Sequence, residues 1–519
     1  MAPNSGKRRE FSFRTRQQTW DSLQRLHRPL DALIVGGGIV GAGCLREMAL
    51  RGLTNVLLID KGDFASGTSS ASSKLIHAGI RYLEQSWDRL KEGRLGAALR
   101  DFWFVVEASR ERKTLKRLAP HLIRTKRIHL VLAQGDVRNP LSVMAGTWLY
   151  FLIQLLQGQA FERPRAFMNR DSIRRAVPEL DAAKVRAVFT FSDSETDDAR
   201  LVIENLQDAN DLGAAAVNYV ELVSFDIRDG LVYATLRDQQ TGASAKVTAR
   251  VLINASGAFV DDVSRRGGEA PLETFVDRVA GSHIDVHPPV TQNSYYVTAA
   301  DGRLVFVLCR DEDGLRFTRI GTTERPLAPG ESSDAPKPTP AELRYLISLT
   351  NEFFPATPVR EGDIIGSDAG IRPLRARPET GSAFQKSREH EIVEEGPVYH
   401  VIGVKLTDYR RVASEVMNGV RWDEHGVQLS SNPVRRPLRP QDLGNRMYAE
   451  ATAEQVVSHT MALHWDDLAL RRLGGRPRAW RQGDPAVLER YFDEMSRLMN
   501  WSPDQATAER ARFTLPILP

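Results

Sequence analysis

Cysteine is nearly absent: Cys44 and Cys309 are the two in 519 residues, so at most one disulfide can form and no disulfide framework holds the fold. That usage fits a reducing compartment, and Cys44, inside an apolar stretch, is expected to pack rather than react. No hydrophobic run is long enough to span a bilayer. The most apolar one, Leu141–Leu156, has 16 residues, against the roughly 20 that a membrane helix needs. It carries Trp148 and Tyr150 and is flanked by Arg138, Arg163 and Arg165, so it reads either as a helix lying in a membrane interface or as a buried core helix. Internal repeats and low-complexity segments are lacking, and no metal site is expected. Charge of one sign is not in excess either: 70 Lys+Arg face 66 Asp+Glu, a net +4. Residues 1–30 alone hold seven Lys/Arg (Lys7, Arg8, Arg9, Arg14, Arg16, Arg25, Arg28) against Glu10 and Asp21, so the remainder is near neutral. This excludes a nucleic-acid-binding surface. The basic tail is either an approach to anionic lipid or a solvated tail followed by a short helix. It contains no apolar core of a secretory signal, and none is expected.

What is present is the content of a globular chain, 42% hydrophobic and 26% charged, long enough for two or three domains. The most informative stretch is DALIVGGGIV…VLLID. An apolar strand, Ala32–Val35, runs into a turn with Gly36, Gly38 and Gly41, and a helix follows to about Arg51. Gly36 permits the tight turn, Gly38 lets the backbone approach a pyrophosphate, and Gly41 lets helix and strand pack closely, with the helix N–H groups facing the phosphates. A second strand, Val56–Ile59, ends at Asp60, 24 residues after Gly36, where a carboxylate can accept hydrogen bonds from an adenosine ribose. The context is that of a dinucleotide-binding unit.

The next segment, GTSSASSKLIHAGIRYLE (Gly67–Glu84), resembles the flavin-contacting segment of the FAD-dependent, quinone-linked glycerol-3-phosphate dehydrogenases, relatives of the glycerol-3-phosphate oxidases. Further motifs of that family follow in order: FSDSETDDARL (191–201), NASGAFV (254–260), GSHI (281–284), IGTTE (320–324), AGIRPL (369–374), SREHEI (387–392) and VKLTDYR (404–410). The resemblance runs from about residue 10 to about 425, and more weakly over the last helices. A nicotinamide would leave the serine-rich segment without a role.

The resemblance implies an α/β (α+β) fold. A Rossmann-like FAD-binding domain of the glutathione-reductase/D-amino-acid-oxidase type would combine with an antiparallel-sheet substrate domain and a C-terminal helical domain. The expected division is a basic tail and helix at 1–30, a discontinuous FAD-binding domain at 31–110, 190–271 and 359–425, a substrate or cap domain at 111–189 and 272–358, and helices at 430–519. Within these, LVYATLRDQQTGASAKVTARVLINA reads as a β-meander with its turn at Gln239–Ser244, RLVFVLCRDEDGLRF as an antiparallel hairpin, and VYHVIGV as a strand before a helix.

The implied reaction is oxidation of sn-glycerol 3-phosphate to dihydroxyacetone phosphate, hydride passing from C2 to flavin N5 and electrons on to a membrane quinone. Such a reaction needs a phosphate clamp and a base. Guanidinium forks and ammonium groups match phosphate oxygens, and the resemblance points to Arg81, Tyr82, Arg372, Arg388 and Lys405 as substrate-binding. His77 is the candidate base, since its ordinary pKa lies near neutrality and nearby arginines favour its neutral form; Arg372 is a second catalytic candidate, able to stabilise a developing alkoxide. FAD, held non-covalently, would be contacted by Gly36, Gly38, Gly41, Asp60, Thr68, Ser69, Ser70, Ser72, Lys74, His77, Ser256, Gly257, Lys405, Leu406 and Thr407. The last three precede a helix whose N–H groups would meet charge building on the reduced ring. The implied setting is cytoplasmic, peripheral at the inner face of the cell membrane, with a lipid surface as partner, no nucleic acid, and a homodimer allowed.

Departures from the family pattern open other readings. Ala280 stands where lysine is common, Ala78 for glycine, Ala258-Phe259 for Pro-Trp, and Asp408 adds a carboxylate beside Lys405, read as its ion-pair partner. The alternatives are an FAD-dependent oxidase or dehydrogenase of a related phosphorylated or carboxylated alcohol or amine using oxygen, and a non-catalytic flavin-binding scaffold.

Overall fold

The computed structural model describes residues 9–159, 161–268, 274–299, 301–312, 314–327, 331, 334, 336–376, 390–430, 434–438, 452–474 and 485–512, with the side chain of Arg81 outside that description. Two sheets organise these residues. The first has a parallel centre in the order Val398–Ile402, Ser244–Asn254, Leu30–Val35, Val56–Ile59 and Ala215–Val217. A strand with parallel neighbours and covered faces is apolar almost throughout, and Leu30–Val35 (LDALIV) is buried at every position but Asp31. Its residues divide by alternation. Ala32 and Ile34 pack under the helices Ile39–Leu50, Asp198–Leu212 and Tyr409–Gly419. Leu33 and Val35 pack on the other face against the antiparallel meander Val220–Arg228, Leu231–Asp238 and Ser244–Asn254. The meander turns within 239–243, as its Gln-Gln-Thr-Gly-Ala sequence predicts.

The second sheet has ten strands and is antiparallel except where Tyr295–Val297 runs parallel to His129–Val131, so the expected antiparallel substrate sheet is mixed at one pairing. Its core strands Val276–Val286, Leu304–Glu312 and Leu315–Gly321 include the expected hairpin. Val185–Glu195, spanning residue 190, and Ile364–Arg375, beyond residue 359, both pair in this sheet. The segment 359–425 is therefore divided between the sheets, its strand Val398–Ile402 belonging to the first.

The N-terminal basic segment is partly internal. Helix Phe13–Leu23 opens with a Ser12–Thr15 capping box and docks on the meander through Trp20. Arg16 makes a buried ion pair with Asp238 at 2.7 Å, which withdraws one charge of the tail from any surface role. Cys44 lies fully buried in Ile39–Leu50, and burial pushes its thiol up to about 12, in keeping with packing. Leu141–Leu156 lies in helix Pro140–Leu156, capped by Asn139, and is neither wholly buried nor wholly exposed. Val143, Tyr150 and Ile153 face the core, while Leu141, Trp148, Leu149, Leu152, Leu155 and Leu156 are exposed. Among the described residues no helix is long and apolar enough to cross a membrane.

The C-terminal helices Ala453–Thr460, Asp467–Arg472, Pro485–Leu498 and Pro503–Arg512 form a cluster of their own around Trp465, Phe492 and Met495; most of the expected linker within 473–485 lies outside the described residues. One buried carboxylate ties the cluster to the first sheet. Asp63 accepts from Arg471 Nε at 2.5 Å and from Arg472 Nη1 and Nη2 at 2.9 and 2.6 Å. Against burial, which raises a carboxyl pKa, the two guanidinium groups hold Asp63 below its ordinary value. Removing one member of such a group strands the others without compensation. Asp63→Ala is expected to destabilise the protein by about 3–5 kcal/mol, read as a lowered denaturation midpoint; a midpoint equal to the parent's would show that the tie is dispensable.

Candidate active site

The glycine turn is built for close approach. Gly36 sits at φ +113°, and a Cβ there would lie 2.6 Å from the Ala255 carbonyl oxygen. A Cβ at Gly41 would lie 1.9 Å from the Gly36 carbonyl oxygen, so helix Ile39–Leu50 can start here only because position 41 has no side chain. Gly38 caps that helix without a side-chain bond. Asp60, at the end of its strand, accepts from Gly37 N at 2.6 Å and from Gly62 N at 2.8 Å. Burial pushes its carboxyl up to about 6, against the pull of those two N–H groups. Ser256, in the turn after the neighbouring strand, donates to Asn254 Oδ1 at 2.6 Å, and Gly257 follows at φ +60°. A cradle that any side chain would fill, an acid beside it and a helix start together fit a dinucleotide.

The segment after Asp60 leaves this sheet and lies on the second one. Ser69 Oγ accepts from Ile39 N at 3.0 Å, at the start of the cradle helix. Thr68 donates to the carbonyl of Ile371 at 2.5 Å, next to Arg372. Ser70 donates to Gly67 O at 3.3 Å. Ser72 and Lys74 both turn to the buried Asp198, at 2.6 and 2.5 Å, and Lys74 takes a left-handed backbone, φ +56°. Leu75–Ile76 then pair with Ser194–Glu195, and His77 follows, half-buried. Behind it, Ala78 N donates to Tyr150 OH and Asp193 Oδ1 at 3.2 and 3.4 Å, in a buried group completed by Arg112. Burial raises Asp193 above the ordinary carboxylate range in spite of Arg112.

The predicted cations fall into two groups. Lys405 Nζ donates to Tyr82 OH at 3.1 Å and lies over the rings of Tyr82 and Phe104, 4.8 and 4.1 Å from their centroids. Tyr82 is brought there by helix Arg81–Lys91, and Lys405 by the turn after Val398–Ile402. Arg372, on Ile364–Arg375, donates to Glu324 Oε1 and Thr322 Oγ1, both at 2.7 Å. Gly281 makes room for it: a Cβ there would lie 2.8 Å from Arg372 Nη2. Leu406 and the buried Thr407 continue the Lys405 turn into helix Tyr409–Gly419. Arg388 lies outside the described residues, as does the Arg81 side chain.

Two expectations change. Lys405 and Asp408 form no ion pair among the described residues: the ammonium goes to Tyr82, and Asp408 ends the turn with its N–H on Lys405 O at 3.0 Å. Ala280 is fully buried and pairs with Ile371 and Arg325. Strand alternation puts it on the face opposite Gly281 and Arg372, so alanine there takes no cation from the face that carries Arg372. Sequence reasoning passed over Asp193, Asp198, His283, Thr322 and Glu324, although all five stand inside motifs singled out above. Their signal was a polar residue repeated within an otherwise apolar strand or at a helix start, which alone does not name a partner.

The family model described as FAD dependent oxidoreductase matches residues 31–405. An aerobic glycerol-3-phosphate dehydrogenase of Staphylococcus saprophyticus is 31% identical over 456 residues, covering 86% of this chain and 77% of that protein. One from Staphylococcus epidermidis is 30% identical over 457 residues with the same coverage. The structure of the glycerol-3-phosphate dehydrogenase of Bacillus halodurans complexed with FAD is similar with a TM-score of 0.72, 21% identity and 96% coverage of both chains. An FAD-bound L-alpha-glycerophosphate oxidase of Mycoplasma pneumoniae shares the fold at a TM-score of 0.54 and 15% identity, over 80% of this chain and 100% of that one. FAD is the cofactor.

Asp60 supplies a pH test. A ribose hydroxyl would bond an ionised Asp60 more strongly than the protonated acid, so binding would compete with the proton and affinity would fall as pH drops through about 6. Titration of the apoprotein with FAD between pH 7.5 and 5 is expected to show Kd rising toward the acid end, by roughly tenfold per unit below that value if Asp60 dominates. In Asp60→Asn the affinity is expected to be weak and flat over the same range; an equal slope in both proteins would assign the dependence elsewhere.

Proposed function

We propose an activity for this chain, which belongs to the FAD-dependent oxidoreductase family and, within it, to the glycerol-3-phosphate dehydrogenases: it oxidises sn-glycerol 3-phosphate to dihydroxyacetone phosphate. The observation that carries this reading is the meeting of Lys405 with Tyr82, 323 residues apart in sequence, through one hydrogen bond. An ammonium and a phenol side by side offer an anionic oxygen two donors, and the aromatic faces keep the ammonium in place without neutralising it. Arg372, steered by Glu324 and Thr322, adds a guanidinium on the strand beside the Thr68–His77 segment. In this reading Lys405, Tyr82 and Arg372, with Arg81 and Arg388, hold the substrate phosphate and polarise the C2 oxygen, and His77 takes the hydroxyl proton. Bound FAD supplies the hydride acceptor, at N5 of its ring. The similarity of the chain to two dehydrogenases over four fifths of its length supports the substrate.

Anaerobic addition of glycerol 3-phosphate to the purified holoprotein is expected to bleach the flavin spectrum. In Lys405→Met the substrate concentration for half-maximal bleaching is expected to rise roughly ten- to hundredfold, the worth of one charge-assisted contact. A flavin that keeps its oxidised spectrum at saturating glycerol 3-phosphate sinks this reading.

The electron acceptor is proposed to be a quinone dissolved in a membrane that the protein touches from the cytoplasmic side. Support comes from a cluster of three mutually packed helices, Arg81–Lys91, Leu95–Leu118 and Pro140–Leu156, that leaves Trp87, Leu95, Leu99, Trp103, Trp148 and Leu152 at least 40% exposed. So many large apolar side chains in one region exceed the scattered exposure normal for a globular surface. Arg89, Lys91, Arg94 and Arg100 lie in these helices and their connection, the first three paired with Asp101, Asp88 and Glu92, so the apolar face more than net charge would make the contact. Replacing Trp148 and Leu152 together by Glu is expected to abolish co-sedimentation with phosphatidylglycerol vesicles and quinone reduction there, while bleaching by glycerol 3-phosphate persists. Undiminished vesicle binding would place the contact elsewhere, and fast stoichiometric peroxide formation in air would make oxygen the acceptor.

A further inference from the structure

The sheet face that carries Arg372 also carries a polar array that the reaction proposed above leaves unused. Three adjacent strands contribute to it: His283 and Asp285 from Val276–Val286, Arg319 from Leu315–Gly321, and Asp368 from Ile364–Arg375. His283 is directly opposite Asp368, and Arg319 opposite Asp285, so all four side chains rise from one face, with Gly281, Gly370 and Arg372 in the same rows. His283 Nε2 lies 3.0 Å from Ser73 Oγ, and Nδ1 lies 3.3 Å from Asp368 Oδ1. Asp368 accepts from Arg319 Nη2 on both oxygens, at 2.8 and 2.6 Å, and Arg319 Nη1 spans both oxygens of Asp285 at 3.1 and 3.0 Å. The same Nη2 donates to the carbonyl of Ser72 at 3.1 Å.

The charges around the ring bear on the role of each atom. Asp368 is a carboxylate: although burial raises it, Arg319 and His283 hold it well below the usual carboxylate range. Nδ1 lies 3.3 Å from that charge outside hydrogen-bond geometry; the charge favours the tautomer protonated at Nδ1, in which the Ser73 hydroxyl donates to Nε2. His283 stays neutral, because burial and then Arg319 push its pKa down. The surrounding backbone is shaped for the contact. A Cβ at Gly321 would lie 2.2 Å from the His283 ring, and one at Gly370 would lie 3.0 Å from the Ala71 Cβ, so glycine at both places lets ring and segment settle onto the sheet. Serine, histidine and aspartate in this sequence suggest a nucleophile relay, but Asp368 is committed to Arg319 and Ser73 is one anchor of a segment anchored at every turn.

We propose that His283 is a positioning residue: oriented by Asp368, it fixes Ser73 and thereby sets the height of the Thr68–His77 segment above the strand of Arg372, and with it the surroundings of the flavin. The inference rests on the reading of that segment as flavin-contacting and not on the choice of substrate. Ser73, which sequence reasoning did not include among the cofactor residues, becomes the hydroxyl through which the second sheet holds the segment.

The test uses holoprotein carrying Ser73→Ala, His283→Asn or His283→Gln. The asparagine amide can occupy the position of Nδ1 toward Asp368 but falls short of Ser73; the glutamine amide reaches the position of Nε2. Ser73→Ala and His283→Asn are each expected to shift the flavin midpoint potential, measured by dye equilibration, in the same direction, and the double variant is expected to shift it no further. With glycerol 3-phosphate, kcat is expected to fall roughly ten- to hundredfold with KM within about twofold, as misplacement without lost binding predicts. His283→Gln is expected to recover most of both. A parent-like potential in Ser73→Ala overturns the proposal, as does a His283→Gln protein as impaired as His283→Asn, which would reduce the ring to packing. Should His283→Asn fail to fold, Ser73→Ala, which removes one oxygen, decides alone. A parent holoprotein that glycerol 3-phosphate does not bleach would refute the substrate and leave the potential shift standing as the test.

Discussion

The ten residues from Thr68 to His77 are held by both sheets at once, and the rest of the site depends on that double attachment. Ser69 accepts from the first N–H of the cradle helix beside the first sheet, while Thr68, Ser73 and Leu75–Ile76 bond to strands of the second. Ser72 and Lys74 share Asp198, a fully buried acid at the start of the helix that packs beside the cradle helix. A segment in this position forms only a single 3-10 turn, Thr68–Ser70, and a two-residue strand, Leu75–Ile76, because its donors are needed in several directions; short hydroxyl side chains supply them without demanding space. Its composition, four serines and a threonine between Gly67 and Lys74, is the chemical form of that requirement.

From this attachment the two cation groups inherit their places. Arg372 is set one residue from Ile371, whose carbonyl takes the Thr68 hydroxyl. Tyr82 begins the helix that follows His77 and Gly79, and so meets Lys405 after only a short excursion of the chain. The ammonium rests over two rings instead of against a carboxylate. That choice matters for an anionic substrate: a carboxylate partner would cancel the charge that has to attract it, whereas a ring quadrupole orients the charge and leaves it intact. Arg372 is treated differently, with Glu324 fixing its fork.

The exposed apolar helices stand apart from this polar economy. Their inner faces complete the second sheet's core through Leu83, Val105, Val143 and Ile153, so the helices cannot be rotated to hide Trp103 or Leu152 without opening that core. Burying a large apolar side chain is worth about 1.5–3 kcal/mol, and the fold forgoes this at several positions in one region, which is the ground of the proposed membrane contact. The same helices bring Tyr150 and Arg112 to Asp193 behind Ala78, which couples the apolar surface to the backing of His77 by direct contact.

Much was legible in the sequence because it is local. The strand–glycine–helix unit, Asp60, the meander with its turn after Asp238, and the helix after Lys405 follow from steric needs within a few residues, and the structure has them within a residue or two of their expected bounds. The likeness of whole motifs named the family. What only the tertiary structure decided is which side of a strand each side chain faces and which distant group it meets. Ala280 faces away from Arg372 because of pairing register; Lys405 prefers Tyr82 over its neighbour Asp408; Arg16 leaves a basic tail for Asp238; Val185–Glu195 and Ile364–Arg375 join the second sheet. His283, Asp368 and Arg319 are separated by tens of residues and become one array only when three strands align. Short-range sterics are written residue by residue, whereas partnership across a sheet depends on register, and register is fixed only when the whole sheet closes.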